Sequence, residues 1–197
     1  MIYVPHLETD ITAACQLSCV ACNHFVPLWR SRGSFYAEPG QVAADLGHLS
    51  TIMHAERWGA LGGEPLLHPK LVELLWIARA SRIADRLEVW TNGLLLGVMP
   101  AEFWGAFDVL VLSLYPGVSI DLDWIRQRCD VTGVELVVKD EALSPNFRTL
   151  LEPAPTEAEA TARKFAGCFF RWYCRAANRG YFHTCCVAAH LPELVQG

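Results

Sequence analysis

Apolar positions along the chain switch repeatedly between the two-residue rhythm of strands and the three-to-four-residue rhythm of helices. Leu7 to Thr12 reads as a short strand that ends where a group of cysteines begins. His24 to Tyr36, with Pro27 and Gly33, reads as loop. Pro39 occupies a favoured first helical position, and Val42, Leu46, Leu49 and Met53 recur at helical spacing, so a helix is predicted over about 39 to 55. Arg57 to Leu61 returns as a strand, and His68-Pro69 opens a helix with Leu71, Val72, Leu75 and Ala78 facing the core. Leu87 to Thr91 is a third strand, closed by the turn dipeptide Asn92-Gly93. A short helix over Pro100 to Phe107 leads into Asp108 to Tyr115, whose unbroken run Val109-Leu110-Val111-Leu112 suits a parallel strand covered on both faces. Ile120 to Cys129 is helical, with Trp124 and Ile125 inward, and Val134 to Lys139 is a fifth strand.

Five strands alternating with helices describe an α/β chain built as a parallel βα array. Such arrays bind ligands at the carboxyl ends of their strands. The unusual residues gather at those ends: the Cys15/Cys19/Cys22 loop, Gly62-Gly63-Glu64-Pro65, Thr91-Asn92-Gly93, Ser113 and Lys139. Two glycines at a strand end permit a close approach that a Cβ would block.

Composition narrows the picture. A chain of 197 residues buries one sizeable core with room for a small appendage. The formal net charge is -5 and no Lys/Arg run occurs, so there is no electrostatic footprint for nucleic acid. No basic start followed by an apolar run marks a signal peptide, and no apolar stretch approaches the roughly 20 residues that span a bilayer. No membrane partner and a cytoplasmic location are expected. In a reducing compartment clustered cysteines read as metal ligands or catalysts before disulfides. The expected division is a βα array over 1–143, a linker and helix over 144–165, and a Cys-rich segment over 166–197. Ser144 to Pro155 is proline-rich, and Thr156 is a plausible N-cap for a polar helix start reaching Phe165, with Glu157 and Glu159 near the positive end of its dipole.

Cys15-x3-Cys19-x2-Cys22 places three thiols within eight residues. Iron–sulfur clusters are normally closed by four thiolates, so either a fourth comes from afar or one iron stays open for a small molecule. A zinc clip is the alternative for this set. The late group, Cys168, Cys174, Cys185 and Cys186, is loosely spaced and suits either a second iron–sulfur centre or a structural zinc. Cys185 and Cys186 are neighbours, and adjacent side chains of an extended segment point to opposite faces, so both binding one metal group requires a bend. Cys129 stands alone on a helix and reads as a small core residue.

The three-Cys loop, Leu61 to Pro69, Thr91 to Leu96, Met99 to Trp104 and Ser113 to Gly117 together resemble the radical S-adenosylmethionine (SAM) superfamily. The resemblance implies a partial (β/α)6 barrel with a small C-terminal Cys-rich appendage similar to SPASM/Twitch auxiliary-cluster segments. It implies a [4Fe-4S] cluster with an open site on Cys15, Cys19 and Cys22, SAM chelated there, and an auxiliary [4Fe-4S] cluster on Cys168, Cys174 and Cys185, with Cys186 a fourth ligand or a buried neighbour. Gly62, Gly63, Glu64 and Pro65 would receive the amino group of SAM, Thr91 and Asn92 would border it, and Ser113 and Lys139 would reach its ribose and carboxylate. The family usually carries an aromatic residue before the third Cys; here it is Ala21, with His24 or Phe25 as substitutes on the other side of Cys22.

The activity implied is reductive cleavage of SAM and hydrogen-atom abstraction from a small polar, carbohydrate-like substrate, ending in oxidation or epimerisation. Epimerisation needs a hydrogen donor, for which Cys129, Cys186 and Tyr181 are candidates. An electron donor such as flavodoxin or ferredoxin is an expected partner. The alternatives are a radical SAM enzyme acting on a peptide and a non-catalytic iron–sulfur or zinc protein. Relatives usually continue beyond the last Cys, which leaves a full-length chain, a shortened natural protein and a fragment all open.

Overall fold

A computed structural model describes residues 1–19, 22–140, 157–168 and 173–195. Ala21, the linker 144–155 and the expected N-cap Thr156 lie outside the described residues. Five parallel strands, β1 (Ile2–Thr12), β2 (Met53–Gly62), β3 (Ala84–Thr91), β4 (Val109–Leu114) and β5 (Glu135–Asp140), form most of one mixed sheet. A C-terminal hairpin, β6 (Ala176–Asn178) and β7 (Tyr181–His183), extends it past β1 to seven strands in the order β5-β4-β3-β2-β1-β6-β7. β6 runs parallel to β1, with Ala176 beside Glu8.

The sheet separates two chemistries because side chains alternate along each strand. Leu7 and Ile11 of β1, Trp58 of β2, Leu87 and Val89 of β3, and Leu110 and Leu112 of β4 join one buried cluster. Helices α2 (Pro39–Ser50), α3 (Leu71–Ser81) and α4 (Leu122–Thr132) cover it through Val42, Leu46, Leu74, Leu75 and Ile125. Burying side chains of this size contributes about 1.5–3 kcal/mol each. The intervening positions, among them His6, Arg57, Glu88, Trp90, Val111 and Lys139, face the opposite side. Cys129 lies in the helix-side core, as its isolation on a helix suggested.

Three local expectations are corrected. Residues 24 to 36 contain α1 (Val26–Arg32): Pro27 sits in its first turn, where a missing N–H costs nothing, and Gly33 ends it at φ 87°. The helix expected over 39 to 55 stops at Ser50, because Thr51 N–H closes onto His48 and Leu49 carbonyls and Met53 pairs with Ile2 as the start of β2. Pro100 to Phe107 forms a 3₁₀ turn at Ala101–Gly105 rather than an α-helix. After α5 (Ala158–Gly167) the described chain resumes at Tyr173 and ends in α6 (Cys186–Val195). Among the described residues no helix is long and apolar enough to cross a membrane.

Candidate functional site

The Cys loop is seated on the end of β1 by the two glycines that end β2. Gly63 N–H donates to Thr12 O and Glu64 N–H to Ala14 O, each at 2.7 Å. A Cβ on Gly62 would lie 2.2 Å from Thr12 O, and one on Gly63 2.2 Å from Ala14 O. Gly62 also has φ 123°, a region open to glycine alone at small cost. From α1, Arg30 Nη2 donates to Cys15 O and Leu17 O, both at 2.7 Å. The Cys15 thiol is pushed up to about 11 by burial, with the charges of Glu64, Cys19 and Cys22 adding to the rise. Cys15, Cys19 and Cys22 all line one cavity, but their sulfurs do not form a group within 4.8 Å of one another, so the loop must draw its thiols together to hold a metal that takes thiolates.

Glu64 is buried and ties two strand ends together. Its carboxylate accepts from Leu66 N–H at 3.0 Å, Thr91 Oγ1 at 2.6 Å and Asn92 N–H at 2.8 Å. Burial raises its pKa, and those three hydrogen bonds oppose the rise. Thr91 Oγ1 accepts in turn from Gly93 N–H at 3.0 Å, and Asn92 Oδ1 from Leu94 N–H at 3.1 Å, leaving Asn92 Nδ2 4.0 Å from Cys15 Sγ. Pro65 opens a buried 3₁₀ turn behind this hub.

One cavity of about 730 Å³ is lined by Cys15, Cys19, Cys22, Gly62, Gly63, Glu64, Thr91, Asn92, Ser113 and Lys139. It brings together every expected cluster-loop and SAM-site position except Pro65. Ser113 and Lys139 are register partners on β4 and β5, and Lys139 Nζ lies 3.6 Å from the centre of the Trp90 ring. His24 also lines the cavity, whereas Phe25 packs with Ala13, Trp29 and Leu194.

The cavity floor escaped the sequence reading. Glu88 accepts from Trp90 Nε1 at 2.8 Å and from Arg57 Nη1 at 3.4 Å, and lies 3.5 Å from His6 Nε2. Burial raises the Glu88 pKa, but His6, Trp90 and Arg57 outweigh it and bring the carboxyl below its usual range. The signal was present: polar His6, Glu8 and Asp10 alternate with Leu7, Thr9 and Ile11 along β1, as a strand with one face on a polar cavity must.

A buried polar network joins this region to the C-terminal segment. Asp10 contacts His24 Nδ1 at 2.7 Å and His190 Nε2 at 3.1 Å, and exchanges hydrogen bonds of 2.6 and 2.8 Å with the Asn178 side chain. His190 Nδ1 accepts from Trp29 Nε1 at 3.3 Å. Burial opposes charge on His24, yet the Asp10 carboxylate outweighs it and raises the imidazole to about 9. Burial likewise works against the Asp10 carboxylate, but His24 and His190 hold it well below its usual range.

Of the late cysteines, Cys174 lines the cavity and Cys186 is fully buried at the start of α6. The Cys186 thiol is hydrogen-bonded to those of Cys174 and Cys185. The change from β7 to α6 supplies the bend that lets neighbouring Cys185 and Cys186 approach each other. Cys168 ends α5. Of the suggested hydrogen donors, Cys129 is in the helix-side core and Tyr181 is exposed on β7.

No protein-family model matches the chain. Over 120 residues, 61% of the chain, it is 31% identical to GTP 3',8-cyclase of Chlorobaculum tepidum, and it spans about a third (33%) of that protein's length. BtrN in complex with AdoMet (SAM) and 2-DOIA shares the fold, with a TM-score of 0.64 over 98% of this chain and 82% of BtrN at 14% identity. The structure of anSMEcpe with bound AdoMet aligns with 69% of this chain and 43% of its own, with a TM-score of 0.51 and 16% identity.

Proposed function

We propose that this chain is a radical SAM superfamily enzyme acting on a small polar, carbohydrate-like substrate. The observation that carries this reading is the single cavity shared by the three-thiol loop, the Glu64 hub and the floor of His6, Arg57, Glu88 and Lys139. Cys15, Cys19 and Cys22 would hold a [4Fe-4S] cluster that, with SAM bound, would supply the one-electron chemistry for removing a hydrogen atom from a substrate carbon in an oxidation or epimerisation. Gly62 to Pro65 receive the amino group of SAM, and Thr91 and Asn92 border it. Ser113 and Lys139 serve its ribose and carboxylate. Glu88 and Arg57 offer an acceptor and a donor to hydroxyl or amino groups of the substrate. Cys174, Cys185 and Cys186 of the C-terminal segment hold a second metal centre, an auxiliary [4Fe-4S] cluster or zinc. A flavodoxin or ferredoxin class protein delivers the electron.

Anaerobic reconstitution with iron and sulfide, then incubation with SAM and dithionite, tests the reading. Release of 5'-deoxyadenosine that vanishes when Cys15, Cys19 and Cys22 become Ala is the expected result. A reconstituted chain that leaves SAM intact would refute it.

A further inference from the structure

Resting on the reading of a second metal centre, we propose that Glu8 is a ligand of that centre, together with Cys174 and Cys186. Glu8 lies on β1, on the face that lines the cavity, and is only 2% exposed. One carboxylate oxygen, Oε1, has no hydrogen-bond partner among the described residues, and Oε2 is 4.0 Å from His6 Nδ1. A buried acceptor with nothing to accept from is costly, on the order of 1–3 kcal/mol. Two sulfurs are close by: a Glu8 oxygen, Cys174 Sγ and Cys186 Sγ all lie within 4.8 Å of one another. Thiols are only weak hydrogen-bond donors to a carboxylate, whereas a cation between the three groups converts all of them into ligands at once. Zinc holds thiolate sulfur at about 2.3 Å and carboxylate oxygen at about 2.0–2.2 Å, which draws such a group inward by small side-chain shifts.

The fold builds this group. Glu8 N–H donates to Arg175 O at 2.8 Å and Glu8 pairs with Ala176, so the parallel β1–β6 contact sets Cys174 beside Glu8. The β6–β7 hairpin then returns the chain so that α6 opens with Cys186 in the same place. Asn23 Nδ2, next to the first cysteine loop, lies 3.9 Å from Cys186 Sγ. Cys185, whose thiol is hydrogen-bonded to that of Cys186, stands next in line as a third sulfur. Cys168 is not in the group. Because Glu8 and Cys174 both line the cavity, this centre opens onto the space assigned to substrate. The chemistry shared by its candidate occupants is that of a thiolate-seeking cation, iron with sulfide or zinc.

The test uses the full chain with Cys15, Cys19 and Cys22 replaced by Ala, so that only the second centre is read. One portion is reconstituted with ferrous iron and sulfide and another with zinc alone, which identifies the occupant. Glu8→Gln and Cys186→Ser are each expected to lower retained metal at least tenfold under chelator challenge, while Cys168→Ser leaves it unchanged. X-ray absorption of the metal in the chain with Glu8 intact is expected to show an oxygen shell beside the sulfur shell, a readout that does not depend on any Glu8 variant folding. An all-sulfur shell, or full metal retention by a folded Glu8→Gln chain while Cys174→Ser loses it, would overturn the role of Glu8 and leave the second centre standing. Full retention after Cys174→Ser, or no metal taken up at all, would overturn both.

Discussion

Gly63 has a partner where any other residue would have a side chain. Its missing Cβ would fall 2.2 Å from Ala14 O, and backbone cannot move there without shifting Cys15. Gly63→Ala is therefore expected to destabilise the chain by roughly 1–3 kcal/mol in denaturant unfolding and to lower iron retained at the first loop. His68 behaves differently. Its Nε2 lies 3.0 Å from Ala37 O and its Nδ1 accepts from Lys70 N–H at 3.0 Å, a pattern only the neutral ring satisfies. Burial pushes its pKa below 6.5, with the Ala37 hydrogen bond opposing. The unfolded chain thus takes the proton first, so stability held above pH 6.5 is lost as the pH falls through the folded value. Urea titrations from about pH 7.5 to 5 are expected to show a falling midpoint that His68→Gln flattens.

At the scale of elements, the Asp10 network binds β1, the segment after the first cysteine loop, β6 and α6 into one unit. Asp10 has no exposed side-chain surface, and two imidazoles and one amide converge on it. Removing one partner of such a buried set costs about 3–5 kcal/mol, because the rest stay buried and unpaired. Asp10→Ala is expected to cost that much in equilibrium unfolding. In a double-mutant cycle with His190→Ala the two losses should fall well short of additive. Element identity was largely readable beforehand, since β2 to β5 and α2 to α4 each announced themselves by local rhythm. The failures were equally local: Met53 continues the period of α2, yet its pairing with Ile2 makes it a strand residue. Pro27 and Gly33, which suggested loop, are the start and stop of α1.

For the whole molecule, the cavity is the product of a parallel sheet with apolar residues toward helices and polar ones toward its other face. The three-cysteine loop, the paired glycines and Thr91-Asn92-Gly93 could be read directly, because a strand that ends in unusual chemistry marks the ligand-bearing rim of any βα array. What ran out was the identity of neighbours. Glu8, Asp10, His24, Cys186 and His190 carry no shared spacing, and up to 180 residues separate contacts such as Asp10 with His190. The amino-acid order alone determined the alternation of elements, the thiol loop and the glycines that seat it, since these depend on interactions within a few residues. Only the tertiary structure decided that β6 docks on β1, which places a buried carboxylate among the late thiols. Strand pairing across that distance is settled by packing of the completed sheet, not by any local preference of the segments that meet.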